Sequence, residues 1–167
     1  MQMVKINYLF FSFICYLFMS CSNHVVTNSC LLAVNDRYVY LYTEPGGEIH
    51  DSVCNNTKMD DYYVVSIKRK RNDYFYVEIE QCMGDIKKTG WVKKGTLSIN
   101  PSTTSVIYLY KKPSYESGVK DSIMQPYWGD LYIIEDVEKD WFLIKGKDFN
   151  GWLSPMDQCS NPYTTCS

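Results

Sequence analysis

Two halves of this chain carry the same succession of residues in the same order. Tyr38-Val39-Tyr40-Leu41-Tyr42-Thr43-Glu44-Pro45 returns as Val106-Ile107-Tyr108-Leu109-Tyr110-Lys111-Lys112-Pro113. Asp51-Ser52-Val53 returns as Asp121-Ser122-Ile123, and Asp61-Tyr62-Tyr63-Val64-Val65 as Asp130-Leu131-Tyr132-Ile133-Ile134. Asn72-Asp73-Tyr74-Phe75-Tyr76-Val77 returns as Lys139-Asp140-Trp141-Phe142-Leu143-Ile144, and Thr89-Gly90-Trp91-Val92 as Asn150-Gly151-Trp152-Leu153. The spacings between matched pieces differ by only a few residues. Ordered self-similarity of this kind means one structural unit made twice. Each unit has about 65 residues, which buries too little surface to be very stable alone, so the copies are expected to pack together.

Each copy reads as strands. In the first run Val39 and Leu41 fall on one face and Tyr40 and Tyr42 on the other; Ile107 and Leu109 stand likewise against Tyr108 and Tyr110. Pro45 and Pro113 close that strand, because proline has no N–H for a ladder. Asn72-Asp73 and Lys139-Asp140 sit between strand-like runs, as hairpin turns do. Gly90 and Gly151 precede a last short strand, and the tryptophans after them, Trp91 and Trp152, are expected to pack mainly on the core. No stretch has a helical period. Fifteen tyrosines and an aromatic content of 16% also favour sheet. The polar residues 98–105, with Asn100-Pro101 among them, are expected to link the copies.

The N-terminus has its own chemistry. Lys5 is followed by an apolar run from Ile6 to Met19, interrupted by Asn7 and Ser12, and then by Ser20-Cys21. A short positive region, an apolar stretch of this length and a small residue before a processing point describe a secretory signal rather than a membrane span. Leu17-Phe18-Met19-Ser20-Cys21 resembles the lipobox of bacterial lipoproteins. That resemblance implies cleavage before Cys21, acylation of its sulfur and anchoring to a membrane of the cell envelope.

Export implies an oxidising compartment, where cysteines pair by default. Of the seven cysteines, Cys15 lies in the signal and Cys21 is the lipid site. Cys159 and Cys166 are close enough in sequence to staple the C-terminal tail. Cys54 and Cys82 each end a strand and are the first choice for a second bridge, with Cys30 as an alternative partner of either, because spacing does not settle connectivity.

The motifs together resemble bacterial SH3 domains, a family whose members run through an apolar strand and a turn with proline, a Gly-Asp turn, a strand with an aromatic at its start, and Gly-Trp-Val. Copy two carries Ile107 to Pro113, Trp128-Gly129-Asp130, Asp140-Trp141-Phe142-Leu143-Ile144 and Gly151-Trp152-Leu153; copy one carries Asp60-Asp61 and Tyr74-Phe75 at the matching places. The resemblance implies an all-β fold of two small SH3-like β-barrels in tandem. The expected order is a signal peptide at 1–20, a tether at 21–33, the first domain at 34–99, a linker at 100–105, the second domain at 106–158 and a tail at 159–167. It also implies a cell-wall or peptide-binding role.

No catalytic constellation appears. His24 lies in the tether, and His50 in the loop after the first strand of copy one, with Lys120 near the matching place; neither stands with a cysteine as a peptidase would require. No metal-ligand spacing, phosphate loop or cofactor motif is present, so catalytic residues, metal and cofactor are all expected to be absent. A net charge of −2 argues against nucleic acid as a partner. The basic run Lys68-Arg69-Lys70-Arg71 is expected to be a solvated hairpin tip. A tryptophan in a polar loop is a better ligand contact than one at a strand start. Trp128 with Tyr127, and with Tyr110, Tyr115 and Trp141, is therefore expected to line a groove in copy two. The expected function is a non-catalytic envelope adaptor that binds cell-wall peptide or an envelope protein. The alternative is a protein-binding regulator, an inhibitor or immunity protein, of an envelope-active enzyme.

Overall fold

The computed structural model describes residues 28–30, 38–54, 62–101, 106–127 and 130–159. Its strands are β1 (Asn28–Cys30), β2 (Tyr38–Tyr42), β3 (Ile49–Cys54), β4 (Tyr63–Arg71), β5 (Tyr74–Gln81), β6 (Lys87–Lys93), β7 (Ser98–Pro101), β8 (Val106–Tyr110), β9 (Val119–Met124), β10 (Tyr132–Glu138), β11 (Trp141–Lys145), β12 (Asn150–Leu153) and β13 (Gln158–Cys159). Two single 3-10 turns, Tyr115–Ser117 and Pro155–Asp157, complete the described elements. The chain is all-β, and the period-2 alternation is what makes it so: Val39 and Leu41, like Ile107 and Leu109, are buried while Tyr40 and Tyr108 face out.

The repeat is exact at the level of topology. Copy one has the order β3-β2-β6-β5-β4-β1, and copy two has β9-β8-β12-β11-β10-β7. Both first strands are bulged at one place, between Leu41 and Tyr42 and between Leu109 and Tyr110. Both long hairpins are bulged too, between Ile67 and Arg69 and between Ile134 and Asp136. At the tips of those hairpins Asn72 and Lys139 adopt left-handed backbone, with φ of 53° and 54°. Among the described residues no ladder closes either copy into a ring; the hydrogen-bonded path runs open from β3 to β9.

The ladders also correct the alignment read from the sequence. Ile67 pairs with Val77 and Ile134 with Ile144, so Ile67, not Val65, corresponds to Ile134. A slide of two residues keeps every side chain on its own face, which is why the residue pattern did not exclude it. The basic run Lys68 to Arg71 therefore lies within β4 rather than at a hairpin tip, opposite the acidic Glu135-Asp136-Val137-Glu138 of copy two in the repeat.

Residues 98–101 are not a linker. They form β7, and all four are buried. β7 pairs with β1 through Ser98 and Cys30, with β10 through Ile99 and Tyr132, and with β13 through Asn100 and Cys159. One strand thus ends copy one and begins copy two. β1, within the stretch read as tether, holds the equivalent first position in copy one, pairing with β4 as β7 pairs with β10. Ser-Ile-Asn-Pro has the composition of a loop, with one apolar residue; its burial comes from partners on both sides, and local composition does not encode partners. Pro101 ends the strand opposite Gln158 of β13, beyond the pairs with β1 and β10 at Ser98 and Ile99, so its missing N–H takes no bond from those ladders.

The two copies also share a core. Buried side chains from both, including Phe75, Ile79, Ile99, Ile134 and Phe142, form one hydrophobic cluster. At the seam, Ile134 N–H donates to the Leu97 carbonyl at 2.9 Å and Gly95 N–H to the Ile134 carbonyl at 3.3 Å. Lys70 and Lys94 of copy one reach Asp136 of copy two at 3.2 and 3.1 Å. Burial pushes the Asp136 carboxyl up, but the Val137 backbone and the two lysines outweigh it and hold the pKa below the ordinary aspartate value. A carboxylate with a folded-state pKa below its unfolded one stabilises the chain at pH above the ordinary value. That contribution is lost as pH falls through the folded value. Asp136→Asn is expected to lower the melting temperature at neutral pH and to flatten its fall below about pH 4. An acid limb as steep in the variant as in the parent would refute the role given to this ion pair.

Gly151 and Gly90 show why the Gly-Trp step recurs. A Cβ on Gly151 would lie 2.7 Å from Leu109 Cβ, and one on Gly90 would lie 2.9 Å from Leu41 Cβ. The first and last strands of each copy approach too closely at that point for any side chain. His50 lies on β3, not in a loop, and its Nε2 is beside Gly90.

Candidate ligand-binding site

The outward face of copy two is built by register. Tyr110 of β8 pairs with Trp152 of β12, which pairs with Leu143 of β11. Directly opposed residues share a face, and the inward positions beside them, Leu109, Leu153 and Phe142, are fully buried. Trp141, two residues before Leu143, projects to the same outward side.

Tyr115 reaches this face from the turn after β8. Ser114 caps that turn, its hydroxyl accepting from Glu116 N–H at 3.2 Å. The Ser117 hydroxyl donates to the Ser114 carbonyl at 2.8 Å and accepts from Lys112 N–H at 3.1 Å. Gly118, with φ of 78°, turns the chain into β9. So fixed, Tyr115 meets Trp141 at 4.8 Å between ring centroids and Tyr110 at 5.5 Å, while Tyr110 and Trp141 stand 5.3 Å apart. All three contacts are edge-to-face, the geometry ring quadrupoles favour. Trp141 is 7% exposed and forms the floor; Tyr115, 55% exposed, lies at the surface.

The cluster has a polar margin. Burial, followed by the nearby Asp157 carboxylate, raises the Tyr110 phenol above its ordinary pKa. Asp157 is held by the Ser154 hydroxyl, which donates to it at 2.6 Å. Gln158 Nε2 donates to the Asp140 carbonyl at 2.6 Å, tying the Pro155–Asp157 turn to the β10–β11 hairpin.

Three of the five residues expected to line a groove, Tyr110, Tyr115 and Trp141, are thus brought together. Tyr127 is exposed on the segment between β9 and β10, where its N–H donates to Asp130 at 3.1 Å. Trp128 lies outside the described residues, as do Cys21 and Cys166. Cys54 and Cys82 are both free thiols, not a bridge. β2 and β6 stand between β3 and β5, and three strand steps of about 4.8 Å exceed the span of a disulfide. Cys159 is disulfide-bonded and buried on β13, inside the fold rather than in a free tail.

Sequence reasoning missed other contributors. Trp91 and Trp152 are half-buried on the outward face, with Val92 and Leu153 taking the core positions beside them. Asp157 had no recognisable motif. Copy one holds the equivalent pair Tyr42 and Tyr74 at 5.5 Å, but its turn is shorter and Gly47 stands where copy two has Tyr115, so the third ring is missing.

No family model matches the chain, and no curated protein matches it. Among solved structures it is similar to NlpC1 from Trichomonas vaginalis, with 16% identity over 83% of this chain and 47% of that one at a TM-score of 0.33. It is also similar to NlpC2 from the same organism, with 18% identity over 80% and 48% at a TM-score of 0.32. The chain spans about half the length of these two proteins.

Proposed function

We propose that the protein is a non-catalytic binding module of the cell envelope, anchored through an acylated Cys21, and that copy two holds its ligand on Tyr110, Tyr115 and Trp141. The ligand is a cell-wall peptide or a protein of the envelope. The observation that carries this reading is the three-ring cluster: an exposed Tyr115 and a half-buried Tyr110 over a buried tryptophan, the three rings in mutual edge-to-face contact. Rigid aromatics with polar edges give much contact area for little lost side-chain freedom.

Capture by purified wall material tests the reading. The protein is expected to be retained, and Tyr115→Ala to weaken retention about tenfold or more with an unchanged melting temperature, as loss of a surface anchor does. Equal retention of the variant removes the cluster from the function. Absence of retention together with tight capture of one envelope protein selects the regulator instead. The anchor has its own readout: mass spectrometry of the mature protein is expected to find an acylated Cys21 as the first residue, and an unmodified Cys21 sinks it.

A further inference from the structure

Copy one carries on its outward face something copy two lacks. Tyr42, Trp91, Tyr76 and Arg69 are paired in one row across β2, β6, β5 and β4. Tyr76 and Trp91 meet edge-on at 5.5 Å. The Arg69 guanidinium lies 4.5 Å from the Tyr76 ring centroid and 5.8 Å from that of Trp91. The next row is Lys93, Tyr74 and Arg71. Arg69, Arg71 and Lys93 are exposed. The other two basic residues of the β4 run are paired, Lys68 with Glu78 at 3.0 Å and Lys70 with Asp136. No ion pair engages Arg69, Arg71 or Lys93 among the described residues.

The corresponding places in copy two show that this face is not a by-product of the fold. The same ladders put Leu143 at the place of Tyr76, Asp136 at that of Arg69 and Glu138 at that of Arg71. In copy two Asp136 serves the seam through Lys70 and Lys94 and Leu143 replaces a ring, so the fold itself does not require rings interleaved with cations at these places.

We propose that this face of copy one is a second binding site, for an acidic polysaccharide, with a sugar ring on Trp91 and carboxylates on Arg71 and on Arg69, which the Tyr76 ring holds in place. The C–H edges of a saturated ring suit the electron-rich face of an aromatic one. A guanidinium stacked on a ring keeps its N–H edge free for a bidentate carboxylate. The two arginines stand on β4, about 10 Å across the sheet from Trp91, so one polymer contacts rings and cations together. The three cations on this face that make no ion pair among the described residues, in a chain of net charge −2, are few for a phosphate backbone, whose binding is dominated by charge.

Titration of the protein with polygalacturonate, read by tryptophan emission and by retardation in gels containing the polymer, tests the site. Neutral dextran, polyglutamate and oligothymidylate serve as competitors of known chemistry. Polygalacturonate is expected to bind, and dextran not to. Arg69→Gln with Arg71→Gln is expected to weaken binding about tenfold or more with an unchanged melting temperature. Tyr76→Leu, which installs the residue type copy two has there, is expected to weaken it as well; should that variant unfold, the arginine pair decides alone. Tyr115→Ala is expected to bind polygalacturonate like the parent, so this site and the copy-two cluster stand or fall separately. No binding of polygalacturonate overturns the proposal, and so does full binding by the arginine pair variant. Polyglutamate bound as tightly shows attraction by charge alone, and oligothymidylate bound more tightly shows a nucleic-acid site; either result also overturns it.

Discussion

Replacing Ile99 by alanine is expected to destabilise both copies at once, by about 2–5 kcal/mol. Ile99 is fully buried on β7 and belongs to the common hydrophobic cluster. Its strand lies between β1 and β10 and also pairs with β13. A cavity there loosens the last strand of copy one and the first of copy two together. Because the strand and the core are common, the chain should unfold in one transition, and the loss should be felt everywhere. Hydrogen exchange under native conditions resolves this by segment. The slowest amides of β5, in copy one, and of β11, in copy two, should be accelerated by the same factor. Acceleration confined to β11, or two separate melting transitions, would show two independent domains and defeat the account of β7 as their joint.

What the sequence disclosed and what it hid divide along a physical line. Period-2 alternation disclosed the strands, since each places its apolar residues on one side by a rule local to itself. The repeat disclosed the topology of copy two once that of copy one was drawn. The matched turns after Arg71 and Glu138 were legible as Asn-Asp and Lys-Asp. The joint was not. Ser98 and Asn100 are buried polar residues on a strand, and only partners distant in sequence make them so. The register of β4 was hidden by the same period that revealed the strand, because a two-residue slide changes no face. The aromatic cluster was half legible. Tyr110 and Trp141 are recognisable as aromatics of copy two, but their contact depends on the order β11-β12-β8, which the sequence does not state. Tyr115 is legible only as an aromatic close to them in sequence, and the Ser114 and Ser117 hydrogen bonds that deliver it to Trp141 are a property of the turn. Cys54 at the end of β3 and Cys82 just after β5 look alike in sequence, but the two strands that separate β3 from β5 are a fact of the whole sheet.

Trp141→Ala is expected to cost about 3–5 kcal/mol, the range for losing a large buried aromatic, and to abolish ligand retention as well. Trp141 is the floor on which both tyrosines rest, so its removal leaves a void beneath Tyr110 and frees Tyr115 to take other rotamers. Tyr115→Ala, by contrast, removes a ring that is more than half exposed, and should reduce binding with little change in stability. The contrast decides between two views of the cluster. If the rings are merely packing at the rim of a small sheet, loss of binding will follow loss of stability in every variant. If they are a site, Tyr115→Ala will fall off that line. Trp141→Phe sharpens the comparison, because it keeps a flat ring under Tyr110 while shortening the floor. It should recover much of the stability lost in the alanine variant, and its retention on the ligand should lie between those of the parent and Trp141→Ala. Full retention by Trp141→Ala under conditions where it is folded would show that the floor takes no part in binding. The ligand would then have to be sought on the other outward face, where Arg69 lies over Tyr76.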